Sequence, residues 1–114
     1  MNPVQFYKCL SDETRLRSLL LIEMEGELCV CELTEALDEI QPKISRHLAQ
    51  LRKYALLLDR RQRQWVFYRI NPALPEWAKF VLSSTAENNQ VFLSENLKRL
   101  RAMGERPERA KACC

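Results

Sequence analysis

Between Val30 and Ile70 the hydrophobic period changes once, and that change constrains the fold more than any other feature. Val30, Leu33 and Leu37 fall at i, i+3 and i+7, the spacing of a short helix. A polar connection over 38–41 follows, with one apolar residue, Ile40. Ile44, Leu48 and Leu51 then form the buried stripe of a second helix, from Gln41 to Tyr54. Pro42 suits its first turn, where a missing N–H costs nothing. Beyond it the pattern turns β-prone. Leu56-Leu57-Leu58-Asp59-Arg60 and Trp65-Val66-Phe67-Tyr68-Arg69-Ile70 are separated by the polar Arg61-Gln62-Arg63-Gln64, which predicts a hairpin with a basic tip. Alternation of Trp65, Phe67 and Arg69 against Val66, Tyr68 and Ile70 implies that one face packs on the domain.

The flanks are helical. Ser11-Asp12-Glu13 reads as a helix start, a capping serine followed by acids, and Gly26 ends that helix after Glu25. Pro3 to Leu10, with Phe6, Tyr7 and Leu10, reads as a short helix before it. Asn71-Pro72 breaks the second strand. Leu74 to about Met103 reads as one long helix with a fray or kink at Asn88-Asn89. Its apolar contacts are Trp77, Phe80, Val81, Phe92, Leu97 and Leu100. Residues 1–103 then make one domain, and 104–114 (GERPERAKACC) a flexible polar tail with Cys113 and Cys114. The order helix, helix, helix, helix, hairpin, helix is mainly α with a β-hairpin wing. That is a winged helix-turn-helix.

Composition narrows the function classes. A chain of 114 residues suits a single core, and two glycines disfavour an all-β fold of tight turns. No leading apolar stretch and no apolar run near 20 residues predict a soluble, cytoplasmic protein without a membrane partner, its thiols reduced. Five cysteines, an odd number at spacings unlike a disulfide scaffold, point to metal or redox chemistry. The net charge of +3 conceals an asymmetry: Leu10 to Ile40 carries nine acids and two bases, Gln41 to Arg69 eight bases and one acid. A basic block of that kind implies a polyanion such as double-stranded DNA.

The helix from Gln41 fits that partner. At about 100° per residue, Lys43, Arg46, Gln50 and Lys53 face away from the buried stripe, with Ser45 on a flank. Gln and Arg side chains offer paired hydrogen bonds to adenine and guanine edges, a small Ser allows close approach, and Lys contacts phosphate. Gln41 joins this set at the leading end. Arg60, Arg61, Arg63 and Gln64 at the hairpin tip are placed for the minor groove or flanking phosphates. His47, beside Ile44, reads as a packing residue bonded to backbone.

LSDETRL (10–16), ELCVCEL (27–33), QPKISRHLAQLR (41–52) and QWVFYRI (64–70) together resemble the arsenic-responsive repressors of the ArsR/SmtB type, over roughly Phe6 to Phe80. The resemblance implies a homodimer, joined through its first and last helices, that binds operator DNA and releases it when an inducer metalloid binds. As(III) and Sb(III) are soft, and thiolates select such ions. The best-known family pattern is C-x-C-x-x-C. Cys29 and Cys31 match its first two positions, and Thr34 stands at the third. A third sulfur would come from a small thiol, Cys9, Cys113 or Cys114. In the alternative reading Cys113-Cys114 is itself the sensor. In an ideal helix the i and i+2 side chains lie about 200° apart, so chelation by Cys29 and Cys31 is expected to unwind the turn. Zinc fits less well, because it wants four ligands and the one histidine lies on the recognition helix. Three other functions compete: a thiol-based redox-sensing repressor, a C-x-C thiol oxidoreductase, and a protein-interaction module.

Overall fold

The computed structural model describes residues 1–105. Helix α1 (Pro3–Leu10) starts at Asn2, whose Oδ1 accepts the Val4 N–H at 2.8 Å. Helix α2 (Glu13–Glu25) is capped by Asp12, whose Oδ1 accepts the Arg15 N–H at 3.0 Å. The expected cap, Ser11, closes α1 instead: its hydroxyl donates to the Lys8 carbonyl. Gly26 ends α2 at φ +88°, a conformation that favours glycine. A two-residue strand β1 (Leu28–Cys29) leads into α3 (Val30–Leu37), and Asp38 at φ +53° turns the chain towards α4 (Gln41–Lys53).

The wing is β2 (Leu57–Gln62) and β3 (Trp65–Ile70), with a two-residue turn at Arg63-Gln64. The hairpin reading missed a strand. β1 pairs antiparallel with β3, so the sheet order is β1-β3-β2, with Cys29 opposite Phe67. Nor does the expected alternation hold: Phe67 and Tyr68 are both buried. The Arg60 guanidinium, 4.8 Å over the Phe67 ring, covers one face of that side chain.

The predicted long C-terminal helix is two helices, α5 (Glu76–Asn88) and α6 (Gln90–Ala102), broken at Asn89 (φ −133°, ψ 41°). Asn88 and Asn89 turn their side-chain amides back onto the Ser84 and Thr85 carbonyls, the local competition that makes Asn a poor helix-interior residue.

One core joins these elements. Phe6 of α1, Leu19 to Ile22 of α2, Leu33 of α3, Ile44, Leu48 and Leu51 of α4, and Leu93 and Leu100 of α6 are almost fully buried. α6 packs against α3, and the Ala36 carbonyl near the end of α3 accepts both Asn96 Nδ2 and Arg99 Nε at 3.0 Å. No described helix is long and apolar enough to cross a membrane. The α3–turn–α4 unit followed by a hairpin is a winged helix-turn-helix.

Candidate nucleic-acid interface and cysteine site

Helix α4 buries Ile44, Leu48 and Leu51 and turns the rest of its surface outward. Gln41, Arg46, Gln50 and Lys53 are exposed; Lys43 and Ser45 are half-buried. Arg61 and Arg63 are exposed on the wing, with Arg63 at φ +59° in the turn. The eight residues expected to meet DNA therefore lie on α4 and the wing tip. Lys43 Nζ sits 2.9 Å from Glu39 Oε1. Arg60 does not belong to the tip. Both ends of its guanidinium reach the Glu27 carboxylate, at 2.6 and 2.7 Å, which ties the wing to the residues just before β1.

Two side chains missed in the sequence stiffen the helix-turn-helix. Arg15 of α2 donates to the Cys9 and Lys8 carbonyls at 2.9 and 3.2 Å, and to Gln50 Oε1 at 3.3 Å. It thereby joins the end of α1 to an α4 side chain of the expected reading face. Its place inside LSDETRL was the available signal. His47 is bonded to side chains, not to backbone: Nδ1 lies 3.3 Å from Arg15 Nη1, and Nε2 lies 3.9 Å from Asp12 Oδ1. Burial, against the attraction of Asp12, holds the imidazole below its ordinary pKa, with Arg15, Arg46 and Lys43 adding to the fall. Burial alone would raise Asp12. The Arg15 N–H bond and the charges of His47 and Arg15 outweigh it, leaving the carboxyl below the ordinary value.

The cysteine pair departs from the helical expectation. Cys29 is extended (φ −88°, ψ 166°) and stands at the N-cap of α3, outside the helix. The 200° separation of i and i+2 therefore does not apply. The two Sγ atoms are already 3.3 Å apart, so no turn need unwind to bring them together. Cys31 is disulfide-bonded. That bond does not join it to Cys29, because 3.3 Å far exceeds the S–S bond length of about 2.05 Å.

Cys29 and Glu32 form a capping box. The Glu32 carboxylate accepts the Cys29 N–H at 2.9 Å, while Cys29 Sγ accepts backbone N–H groups of α3. Glu32, fully buried, is the other residue the sequence reading passed over. The pattern C-x-x-E, with cysteine in the serine position, could have revealed it.

Thr34, third in the cysteine pattern, donates its hydroxyl to the Val30 carbonyl of its own helix at 2.8 Å. Cys9 is buried in α1 against the Gln5 amide, and among the described residues no three His, Cys, Asp or Glu side chains group to hold a metal ion. Helix α1 thus places Cys9 in the core. Cys113 and Cys114 lie outside the described residues.

Residues 12–56, from the α2 cap through the helix-turn-helix, match the profile described as "Bacterial regulatory protein, arsR family". The arsenic resistance transcriptional regulator ArsR2 of Pseudomonas putida KT2440 is 55% identical over 114 residues, covering 100% of this chain and 99% of the relative. The arsenical resistance operon repressor of Escherichia coli K12 is 49% identical, over 90% of this chain and 91% of the relative. Among solved structures, HlyU of Vibrio cholerae N16961 superposes with a TM-score of 0.68 at 30% identity, covering 76% of this chain and 90% of that one. Fold, motif order and near full-length identity agree: the chain belongs to the arsR family of bacterial regulatory proteins.

Proposed function

We propose that this chain is a cytoplasmic transcriptional repressor that binds double-stranded operator DNA as a homodimer and leaves it when As(III) or Sb(III) binds Cys29 and Cys31. Gln41, Ser45, Arg46 and Gln50 read base edges, and Lys43, Lys53, Arg61 and Arg63 hold phosphates. Residues 1–103 form the DNA-binding and dimerisation domain, and 104–114 the tail. No cofactor takes part in DNA binding.

One observation carries the metalloid reading: the two sulfurs stand 3.3 Å apart at the head of the helix-turn-helix. With metal–sulfur bonds of about 2.3 Å at roughly a right angle, two sulfurs on one ion lie about 3.3 Å apart. With the Cys31 disulfide reduced, the pair is spaced for a shared soft ion, and Cys113, Cys114 or a small thiol is the source of a third sulfur. Binding draws on the sulfur lone pairs that cap α3. Losing a cap costs about 1 kcal/mol, and a coupling of about 1–3 kcal/mol corresponds to a 5- to 150-fold change in DNA affinity.

A second reading, redox sensing, is favoured by the disulfide at Cys31. The C-x-C oxidoreductase reading is less favoured, because the cysteines sit on a helix-turn-helix rather than on alternating strands and helices.

The test is binding to the promoter of the chain's own operon, in reductant, with and without arsenite, for wild type and Cys29→Ser/Cys31→Ser. The double variant should stay bound when arsenite releases wild type. Equal release of both defeats the site assignment. Absence of binding at any moderate salt defeats the repressor reading. Release by an oxidant but not by arsenite favours the second reading.

A further inference from the structure

The turn between α3 and α4 carries an apolar side chain that lies largely outside the core. Ile40 is 68% exposed. It is also the N-cap of α4 (φ −75°, ψ 148°) and makes no side-chain cap bond. Ser, Thr, Asp and Asn dominate N-caps because their oxygens accept one of the first helical N–H groups, and isoleucine is among the poorest residues there. Two local rules are broken at one position, which points to function rather than to folding.

The surroundings identify the occupant. Gln41 is exposed one residue on, and Arg46 on the turn above. Lys43 neutralises the Glu39 carboxylate beside Ile40, so the leading end of α4 can approach a polyanion. Residues at the N-terminal end of a recognition helix are those that meet base edges. In the major groove the apolar group displayed on a base edge is the 5-methyl of thymine.

We propose that Ile40 is a specificity-determining residue that seats against a thymine 5-methyl group at the leading end of α4. It adds apolar readout to the polar readout by Gln41 and Arg46. The inference rests on the operator-binding reading above.

The test starts from a duplex that wild type selects from a randomised library. Each dT is then replaced singly by deoxyuridine, which removes only the 5-methyl. A single dT→dU change, made in one half-site, should weaken wild type about 4-fold, the value of one buried methyl group. Ile40→Ala should weaken binding to the unmodified duplex at least as much, and the same dT→dU change should cost that variant nothing further. Ile40→Ser controls for folding: serine supplies the missing cap, so the melting temperature should rise while affinity for the selected duplex falls.

A more stable Ile40→Ser that binds as tightly as wild type overturns the proposal. So does a deoxyuridine penalty undiminished in Ile40→Ala. An equal loss on selected and random duplexes also overturns it, since Ile40 would then meet the sugar–phosphate backbone. If wild type selects no sequence at all, the operator-binding reading fails, and the role of Ile40 with it.

Discussion

Burial pushes the Cys29 thiol up to about 11; the Glu32 charge adds to the rise, and backbone N–H bonds from Glu32 and Cys31 oppose it. At pH 7 the reduced sulfur therefore keeps its proton, and the proton balance separates two kinds of ligand. A divalent cation must displace the proton, so its affinity rises about tenfold per pH unit for each thiol still protonated. Arsenite arrives as neutral As(OH)3. One S–H and one As–OH give S–As and water, with no net proton released. Between pH 6 and 8 the arsenite needed for half-release of DNA should change less than about twofold, while the cadmium requirement falls about tenfold per unit or more. An arsenite titration as steep as cadmium's would contradict this. His47 gives a second pH effect, on stability. Its folded pKa lies below the unfolded 6.5, so its contribution is complete above pH 6.5 and is lost as pH falls through the lowered value. Thermal melts should show stability declining below about pH 6.5 in wild type, and His47→Gln should flatten that part of the curve. Asp12, also lowered, adds its own loss only near and below its ordinary 3.8.

At the scale of elements, β1 makes the cysteine segment part of the wing. Cys29 pairs with Phe67 across the sheet, and two residues earlier Glu27 holds Arg60, whose guanidinium lies over the same Phe67 ring. On the proposed reading, a change at Cys29 would have two routes to DNA: through the α3 cap to α4, and through β1 to the wing. The second route can be tested. Arg60→Met keeps an apolar cover on Phe67 and removes the charge pair. It should leave arsenite affinity intact and shrink the arsenite-driven loss of DNA binding about two- to fivefold, the worth of a half-exposed ion pair. Glu27→Gln should do the same, and the double variant no more. An unchanged arsenite response in both variants would remove the wing from the switch. The periodicity of Val30 to Ile70 made the helix-turn-helix and hairpin legible, because apolar spacing reports a helix or strand wherever one face is buried. β1 was illegible because two residues carry no period, and their pairing depends on a strand nearly 40 positions away. The sulfur geometry was misread for the same reason: wheel angles hold only inside a helix, and Cys29 stands one residue before it. The basic face of α4 was readable residue by residue. The Arg60–Glu27 pair was not, since composition records charges and not partners.

For the whole molecule, the surface left uncovered on one chain lies where a partner copy is expected. Val4 and Tyr7 of α1 are 63% and 52% exposed, and Trp77 and Phe80 of α5 are 40% and 68% exposed. Tyr7 and Trp77 lie 6.4 Å apart, both packed edgewise on the buried Phe6, so the two helices present one aromatic patch. Contiguous apolar surface of this kind marks an interface. A two-fold axis through it would set the two α4 helices on successive major grooves, about 34 Å apart on a near-palindromic site. α5 packs on α2, and α6, on α3, also holds the Ala36 carbonyl. The exposed patch is thus seated on α2, and the helix that follows it, α6, on the helix whose other end carries the cysteine pair. Phe80 is largely exposed and outside the core, so Phe80→Glu should leave the single chain folded, with its melting transition changed little by far-ultraviolet circular dichroism. Sedimentation should show a monomer. Operator affinity should fall by roughly 100-fold or more, because each half-site must then be held without the effective concentration that the partner supplies. The salt slope should fall by about half, since half as many phosphates are contacted. A Phe80→Glu protein that sediments as a dimer and keeps the wild-type salt slope would move the interface away from α5.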